Sequence, residues 1–174
     1  MLSSAFSRIV LKEASTLDPP RERGRRRALD DESAWNHIFQ VCRTGMQWRE
    51  VQSHVCYTTI FRTMHRWAKC GVFEEAYKKV LKLYKRVQPP TRYLIDSTFV
   101  KNAFGRTCVG RNPTDRGRKA CKLSVITDQN GVVNGMAFSP ANRHDATLME
   151  TTLKGMLTDL EGLPLYADRG TTSL

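Results

Sequence analysis

The chain has 174 residues with 40% hydrophobic content, which is enough for one ordinary domain or two small ones and excludes global disorder. Its net charge of +11 and pI near 9.8 favour a polyanionic partner, most often nucleic acid, over a generic basic protein. No apolar run approaches the roughly 20 residues of a membrane span, and the five cysteines fit neither a zinc site nor a disulfide framework.

The composition of residues 1–29 predicts a basic and poorly structured N-terminal segment. The serine-rich start faintly resembles a mitochondrial transit peptide, but a short frayed helix is the preferred interpretation and the cytoplasm the expected location. Arginines fill five of the seven positions that follow the two prolines. Such a run stays solvated in most proteins, and in a basic one it also suits phosphates. The phosphate-binding candidates are Arg25, Arg26 and Arg27.

Residues 30–88 predict short helices separated by glycine or polar turns. A first helix is capped by Asp30, Asp31 or Ser33 and stops at Gly45. A short helix follows at "MQWREV", and two longer ones, before and after Gly71, end at "QPP". This pattern suits a helix-turn-helix module, with a plain helical bundle as the alternative. The DNA-contacting candidates on the outside of the helix before Gly71 are Arg62, Arg66 and Lys69.

Residues 91–174 predict a sheet. The runs "RYLIDSTFV", "CKLSVITD", "VVNGMAFS" and "LPLYAD" have strand character, and "DQNG" predicts a hairpin turn between the second and third. A helix that begins near His144–Asp145 and continues through Leu160 separates the last two strands. The order is that of a mixed sheet with a crossover helix, so the chain is assigned to the α/β (α+β) class.

Two carboxylates interrupt strand-like apolar runs. Alternation puts Leu94, Asp96 and Thr98 on one face of the first strand, where burial of an unpaired carboxylate would be costly. Asp168 directly follows the last run. If the last strand lies parallel beside the first, the two acids meet, and a divalent cation, Mg²⁺ or Mn²⁺, would relieve their repulsion. Pairing of each aspartate with a neighbouring Lys or Arg stays open as the alternative.

A basic, glycine-studded segment separates the first two strands and is expected to be a flexible loop that grips a phosphodiester backbone. The plain alternative is a mobile surface loop. At the start of the crossover helix, Asp145 suits an N-cap, and His144 suits a role beside a metal or a phosphate. The DNA-binding candidates of the basic segment are Arg106, Arg111, Arg116, Arg118 and Lys119.

These blocks together resemble the DDE transposases of bacterial insertion sequences. "TGMQWREV" and "YTTIFRTMHRWAKCGVFEEAY" are similar to that family's helix-turn-helix region. "YLIDSTFVKNAFG", "GRNPTDRGRKACKLSVITDQNG", "GMAFSPANRHDATLMETTL" and "LYADRG" are similar to successive blocks of its catalytic domain. The resemblance covers residues 24–170, nearly the whole chain.

The resemblance implies a ribonuclease H-like catalytic domain in which three acids hold two Mg²⁺ ions. Asp96 matches the first acid and Asp168 the second. Phosphodiesters at the terminal repeats of an element would be cut and joined by the two-metal mechanism. The implied partner is double-stranded DNA, and a homodimer on that DNA is left open. His144 and Asp145 match a block beside the site, with their role left open.

The chain departs from the family at its end, where an incomplete catalytic domain is expected. The third acid, a glutamate, belongs well beyond the second, whereas six residues follow Asp168 and none is acidic. A weak or inactive enzyme is therefore expected. A non-catalytic DNA-binding fragment that represses transposition, or an unstable pseudogene product, is the alternative.

The ending "DRGTTSL" predicts a lost reading frame. Family members typically continue Gly-Tyr-Asp, and one base deleted from that glycine codon would give Gly-Thr-Thr, as at residues 170–172. Sequencing the DNA on both sides of the stop codon checks this. A shifted frame that encodes a Tyr…Arg…Glu block is expected, and its absence would refute the hypothesis.

Overall fold

The computed structural model describes residues 2–20, 22–24, 26–102, 107–160 and 162–167. The chain divides into two compact units, Met1–Arg86 and Val87–Leu174. The first is built from helices, and the second from a sheet with one helix. The α/β class expected from the order of the elements is confirmed.

The helical unit contains the elements predicted around its glycines. Its helices are α1 (Leu2–Leu17), α2 (Asp31–Thr44), a 3-10 turn (Trp48–Glu50), α3 (Tyr57–Lys69) and α4 (Val72–Val87). Asp30 caps α2, since its Oδ1 accepts a hydrogen bond from the N–H of Ser33 at 2.8 Å. Gly45 ends α2 with φ 69°, a left-handed conformation that glycine adopts without steric cost.

One core holds these helices together. The completely buried side chains Ile60, Trp67 and Ala76 come from the stripes predicted on α3 and α4. Trp35 of α2 joins them through its ring, whose centroid lies 6.4 Å from that of Phe73 on α4. The helical periodicity of the sequence therefore identifies these three residues, although Thr63 is buried with them and Phe61 of the same helix is 37% exposed.

The prediction that residues 1–29 form a poorly structured lead-in is wrong for α1. Val10 and Ala14 on α1 are completely buried, and the ring of Phe6 packs against Trp35 with centroids 5.7 Å apart. The spacing of these residues gives α1 an apolar stripe, which stabilises the helix once it packs on the core.

The second unit is a mixed sheet. Its strands are β1 (Tyr93–Lys101), β2 (Gly110–Arg111), β3 (Lys119–Asp128), β4 (Val133–Pro140) and β5 (Leu165–Ala167). β3 pairs antiparallel with β1 and also with β4 and the short β2, whereas β5 pairs parallel with β1. The chain passes from β4 to β5 through α5 (Asp145–Lys154), which is the predicted crossover helix.

The two faces of the sheet differ in burial. Tyr93 and Ile95 of β1 and Ile126 of β3 are buried on the face that packs with Met149 and Leu153 of α5. The prediction that the helix continues through Leu160 is wrong, because α5 ends at Lys154. Met156 and Leu160 nevertheless contact the same core from the irregular segment that follows.

The opposite face of the sheet is open and largely apolar. Leu94, Met136, Phe138 and Tyr166 lie on it with 40–55% of their surface exposed. Register explains this grouping, because Met136 and Phe138 pair with Val125 and Leu123 of β3, and side chains that face each other across a ladder share one face.

Asp30→Ala should lower the free energy of unfolding of the helical unit by about 1 kcal/mol, because the N–H of Ser33 loses its acceptor. That hydrogen bond lowers the pKa of Asp30 below its ordinary 3.8. Its contribution is therefore complete above pH 3.8 and is lost as the pH falls through the lowered pKa.

Urea titrations of the unsubstituted chain and of Asp30→Ala at neutral and acidic pH measure this loss of stability. Glu32→Ala is the matched control, since Glu32 lies exposed in the same first turn without a capping hydrogen bond. An equal loss in both variants, or a loss from Asp30→Ala that persists at acidic pH, would contradict the capping role.

Candidate functional site

Asp96 lies near the middle of β1, on the open face of the sheet. Its side chain is exposed, between the exposed Leu94 and Thr98, so the expected cost of burying this carboxylate does not arise. Asp96 Oδ1 accepts a hydrogen bond from the N–H of Ser97 at 2.7 Å. Oδ2 accepts none within the described part of the chain, which leaves an oxygen donor of the type that Mg²⁺ and Mn²⁺ prefer.

The pairing of β1 with β5 brings the end of the last strand beside Asp96. Tyr93, Leu94 and Ile95 pair with Leu165, Tyr166 and Ala167 in parallel register, which confirms the predicted parallel arrangement. Asp96 and Asp168 are the next residues along the chain from the final pair, Ile95 and Ala167. Asp168 lies outside the described residues, so its meeting with Asp96 stays a prediction.

Asp145 belongs to a different cluster. It opens α5, where its Oδ1 accepts hydrogen bonds from Lys122 Nζ at 2.9 Å and from Ser97 Oγ at 3.2 Å. Ser97 points away from Asp96, since adjacent residues of a strand face opposite sides of the sheet. Asp145 is therefore tied to the helix-covered face, and Asp96 to the open one.

His144 is the N-cap residue of α5, with extended backbone angles and an exposed side chain. It makes no side-chain capping hydrogen bond. The N-cap position thus belongs to His144 and not to Asp145, so the helix begins one residue earlier than an N-cap at Asp145 would place it.

Lys122 is the residue that sequence reasoning missed. Its side chain is 8% exposed, donates to Asp145 and to the carbonyl oxygen of Arg143, and lies 5.0 Å from the ring centroid of Phe99. A signal was present, because Lys122 alternates with Ser124 and Ile126 on the buried face of "CKLSVITD". A lysine on the buried face of a strand requires a carboxylate partner, because burial of an unpaired charge is costly.

Among the described residues, no cluster of three or more His, Cys, Asp or Glu side chains could hold a metal ion. Any metal site that uses Asp96 must therefore draw on residues outside the described ranges, such as Asp168, or on ligands from the bound substrate.

The basic segment after β1 is more ordered than expected. The turn that joins β2 to β3 is closed by hydrogen bonds from the N–H of Gly117 to the oxygen of Asn112 and from the N–H of Asn112 to the oxygen of Arg118. Residues 110–119 therefore form β2 and a hydrogen-bonded turn where an irregular loop is expected, and side-chain and backbone bonds of the buried Asn112 close the turn. Arg106 lies outside the described residues. The exposed candidates are Arg111, Arg116, Arg118 and Lys119.

The candidates of the helical unit fall into two groups. Arg62 and Lys69 of α3 and Arg26 are exposed, and Arg25 lies outside the described residues. Arg66 and Arg27 instead share Asp18, a carboxylate that is 11% exposed. Arg66 Nε donates to Asp18 Oδ2 at 2.7 Å, and Arg27 also pairs with Asp31 at 2.9 Å. Two of the arginines expected to meet DNA thus have intramolecular partners.

The class of the protein follows from comparison with known families, since the sheet with its open aspartate coincides with one family domain. Residues 88–174 match the family model "Transposase DDE domain", so the chain belongs to the DDE transposases. Residues 11–77, which span the helical unit, match the model "Putative transposase of IS4/5 family". The resemblance identified from the sequence is confirmed.

A curated relative agrees with this assignment. The chain is 36% identical over 87 residues to "Putative transposase for insertion sequence element IS402" of Burkholderia cepacia. The match covers 45% of this chain and 39% of the relative, so this chain spans about two fifths of the relative's length. No solved structure matches. None of the helices in the described ranges has the length and apolar character needed to cross a membrane.

Asp145→Asn should lower the free energy of unfolding of the sheet unit by about 2 kcal/mol, because it leaves Lys122 charged and buried without its ion pair. The loss is smaller than for a fully buried pair, since Asp145 is partly exposed and solvent screens it. Chemical denaturation followed by far-ultraviolet circular dichroism measures it. Glu150→Gln is the matched control, because the pair of Glu150 with Lys154 is on the same helix but exposed. Equal stability of the two variants would contradict a stabilising role for the buried pair.

Proposed function

We propose that this chain acts on insertion-sequence DNA, binding element ends through its helical unit and providing acids of a metal-dependent strand-cleavage site on its sheet. The observation that carries the proposal is the parallel register of β1 and β5, which ends with Ile95 beside Ala167. The next residue along the chain after each of these two is an acid, Asp96 or Asp168. Family membership supports this use of them.

Asp96 fits a metal ligand. The side chain lies on the open face of the sheet, where a DNA backbone can approach without displacing α5. The hydrogen bond from the N–H of Ser97 fixes one carboxylate oxygen and leaves the other for coordination. Bound Mg²⁺ would activate the attacking water or 3′-hydroxyl and stabilise the leaving oxygen.

The remaining residues supply binding and position. Lys122 and Asp145 hold α5 against the far side of β1, so the strand that carries Asp96 is rigid. The exposed basic side chains of the β2–β3 turn suit a phosphodiester backbone by charge. Asp145 therefore acts in this proposal as a positioning residue and not as a ligand.

A second function is a non-catalytic one, in which the chain occupies element ends and represses transposition. The observation in its favour is that the exposed basic side chains of Arg26, Arg62 and Lys69 belong to the helical unit, which does not contain Asp96. DNA binding that persists when Asp96 is substituted supports this function. Absence of binding to both terminal repeats and random duplex would exclude it.

Asp96→Asn should weaken binding of Mn²⁺ by on the order of tenfold or more, because a ligand oxygen loses its charge. Electron paramagnetic resonance of the full chain titrated with Mn²⁺ measures this directly. Asp115→Asn is the matched control, since Asp115 belongs to the same unit but pairs with Arg118 in the basic turn. Equal Mn²⁺ affinity of the two variants would overturn the assignment of Asp96.

Cleavage of DNA that carries the element ends is the second readout. We expect feeble Mg²⁺-dependent cleavage at most, with full retention of DNA binding by Asp96→Asn. Robust cleavage that Asp96→Asn abolishes would confirm the ligand and refute the expected weakness. Cleavage that survives the substitution would refute the site.

A further inference from the structure

The outer face of α3 and the arginine segment before α2 enclose a small basic pocket. Its volume is about 180 Å³, and the lining comes from Arg27, Ala28 and Leu29 on one side and from four residues of α3 on the other. These four are Thr59, Arg62, Thr63 and Arg66. The described lining thus combines three arginines with two threonines and includes no carboxylate.

A larger neighbouring cavity of about 710 Å³ shares Arg27 and Arg66 but differs in charge. Its lining includes Asp18, Asp30 and Asp31, which together balance the arginines beside them. An anion entering that cavity would meet three carboxylates. The small pocket is therefore the one suited to an anion, although it is the smaller of the two.

The donors of the small pocket are available to different degrees. Arg62 makes no hydrogen bond or ion pair within the described residues and is exposed at the mouth of the groove. Arg66 uses Nε for Asp18, whereas its two terminal nitrogens have no partner among the described residues. Arg27 is committed to Asp18 and Asp31 through both of its terminal nitrogens.

Asp18 fixes the orientation of Arg66. The carboxylate is nearly buried and accepts from Arg66 Nε at 2.7 Å and from Trp67 Nε1 at 3.0 Å, so its own position is set by the core. A guanidinium held at Nε keeps a planar pair of terminal donors, which matches the oxygens of a phosphate. The side chain of Arg66 therefore loses its conformational entropy on folding, so binding of an anion loses less.

We propose that this pocket binds one backbone phosphate of DNA, with Arg62 as the principal cation, Arg66 as a pre-oriented second donor and the Thr59 hydroxyl as a neutral third. The inference rests on the proposed function and deepens it. It assigns the phosphate contact to two arginines, the exposed Arg62 and Arg66, which is paired with Asp18. The pocket admits a single tetrahedral anion and leaves base readout to other residues of α3.

Binding of a random-sequence duplex by the full chain, measured at several salt concentrations, tests the clamp. Arg62→Gln should weaken binding about tenfold and reduce the salt slope by about 1, as expected for the loss of one phosphate contact. Arg43→Gln is the matched control, since Arg43 is exposed in the last turn of α2, outside the pocket, and carries the same charge. Equal effects of the two substitutions would overturn the pocket.

Arg66→Lys separates orientation from charge. The variant keeps the positive charge, so the salt slope should stay unchanged, but it loses the planar fork that Asp18 holds, and affinity should fall several-fold. Thermal unfolding of the variant checks that the fold is retained. Binding equal to that of the unsubstituted chain would overturn the pre-orientation of Arg66.

Inorganic phosphate is the probe that separates this inference from the proposed function. In a titration followed by NMR, the side-chain Nε–Hε signals of Arg62 and Arg66 should shift with saturation, while that of Arg43 stays in place. Such shifts in a chain that fails to bind duplex would refute the proposed DNA binding but support the pocket. Absence of the shifts would overturn the pocket, whatever the chain does with DNA.

Discussion

The pairing of β1 on both edges is the constraint on which the candidate site depends. β3 holds β1 antiparallel along nine residue pairs, from Tyr93 with Asp128 to Lys101 with Ala120, and fixes which face Asp96 occupies. β5 then adds only three parallel pairs. Leu165 and Ala167 of β5 also pack against the core that Met149 and Leu153 of α5 join. The strand that leads to Asp168 is therefore positioned by helix packing as much as by hydrogen bonds.

The ion pair of Lys122 with Asp145 helps to hold α5 in position. The pair lies on the covered face, across the sheet from Asp96, and anchors the first turn of α5 to β1 and β3. If the anchor weakened, α5 and the connection to β5 would lose their fixed position. Charged groups on the two faces therefore differ in their surroundings: Lys122 and Asp145 hold α5 to the sheet on the covered face, and the open face carries Asp96, the metal ligand of the proposed function.

The sequence predicted the elements with strong local signals and missed those decided by tertiary partners. The cap at Asp30, the stop at Gly45 and the turn at "DQNG" each act within a few residues, so spacing sufficed. The order of α1 depends on Trp35, far along the chain, and was missed. The exposure of Asp96 could not be read either, since alternation separates the faces of a strand but does not say which one is covered.

The same limit applies to the arginines, and it changes how charge should be interpreted. Composition counts Arg27, Arg62 and Arg66 alike, yet Asp18 sits far from Arg66 in sequence and beside it in the fold. A paired arginine contributes less to the electrostatic potential at long range than an exposed one. Its donors are held in a fixed direction, however, so they specify the position of a bound anion more closely. The helical unit therefore combines an exposed cation, Arg62, with a held guanidinium, Arg66, and the proposed phosphate clamp uses the first for attraction and the second for orientation.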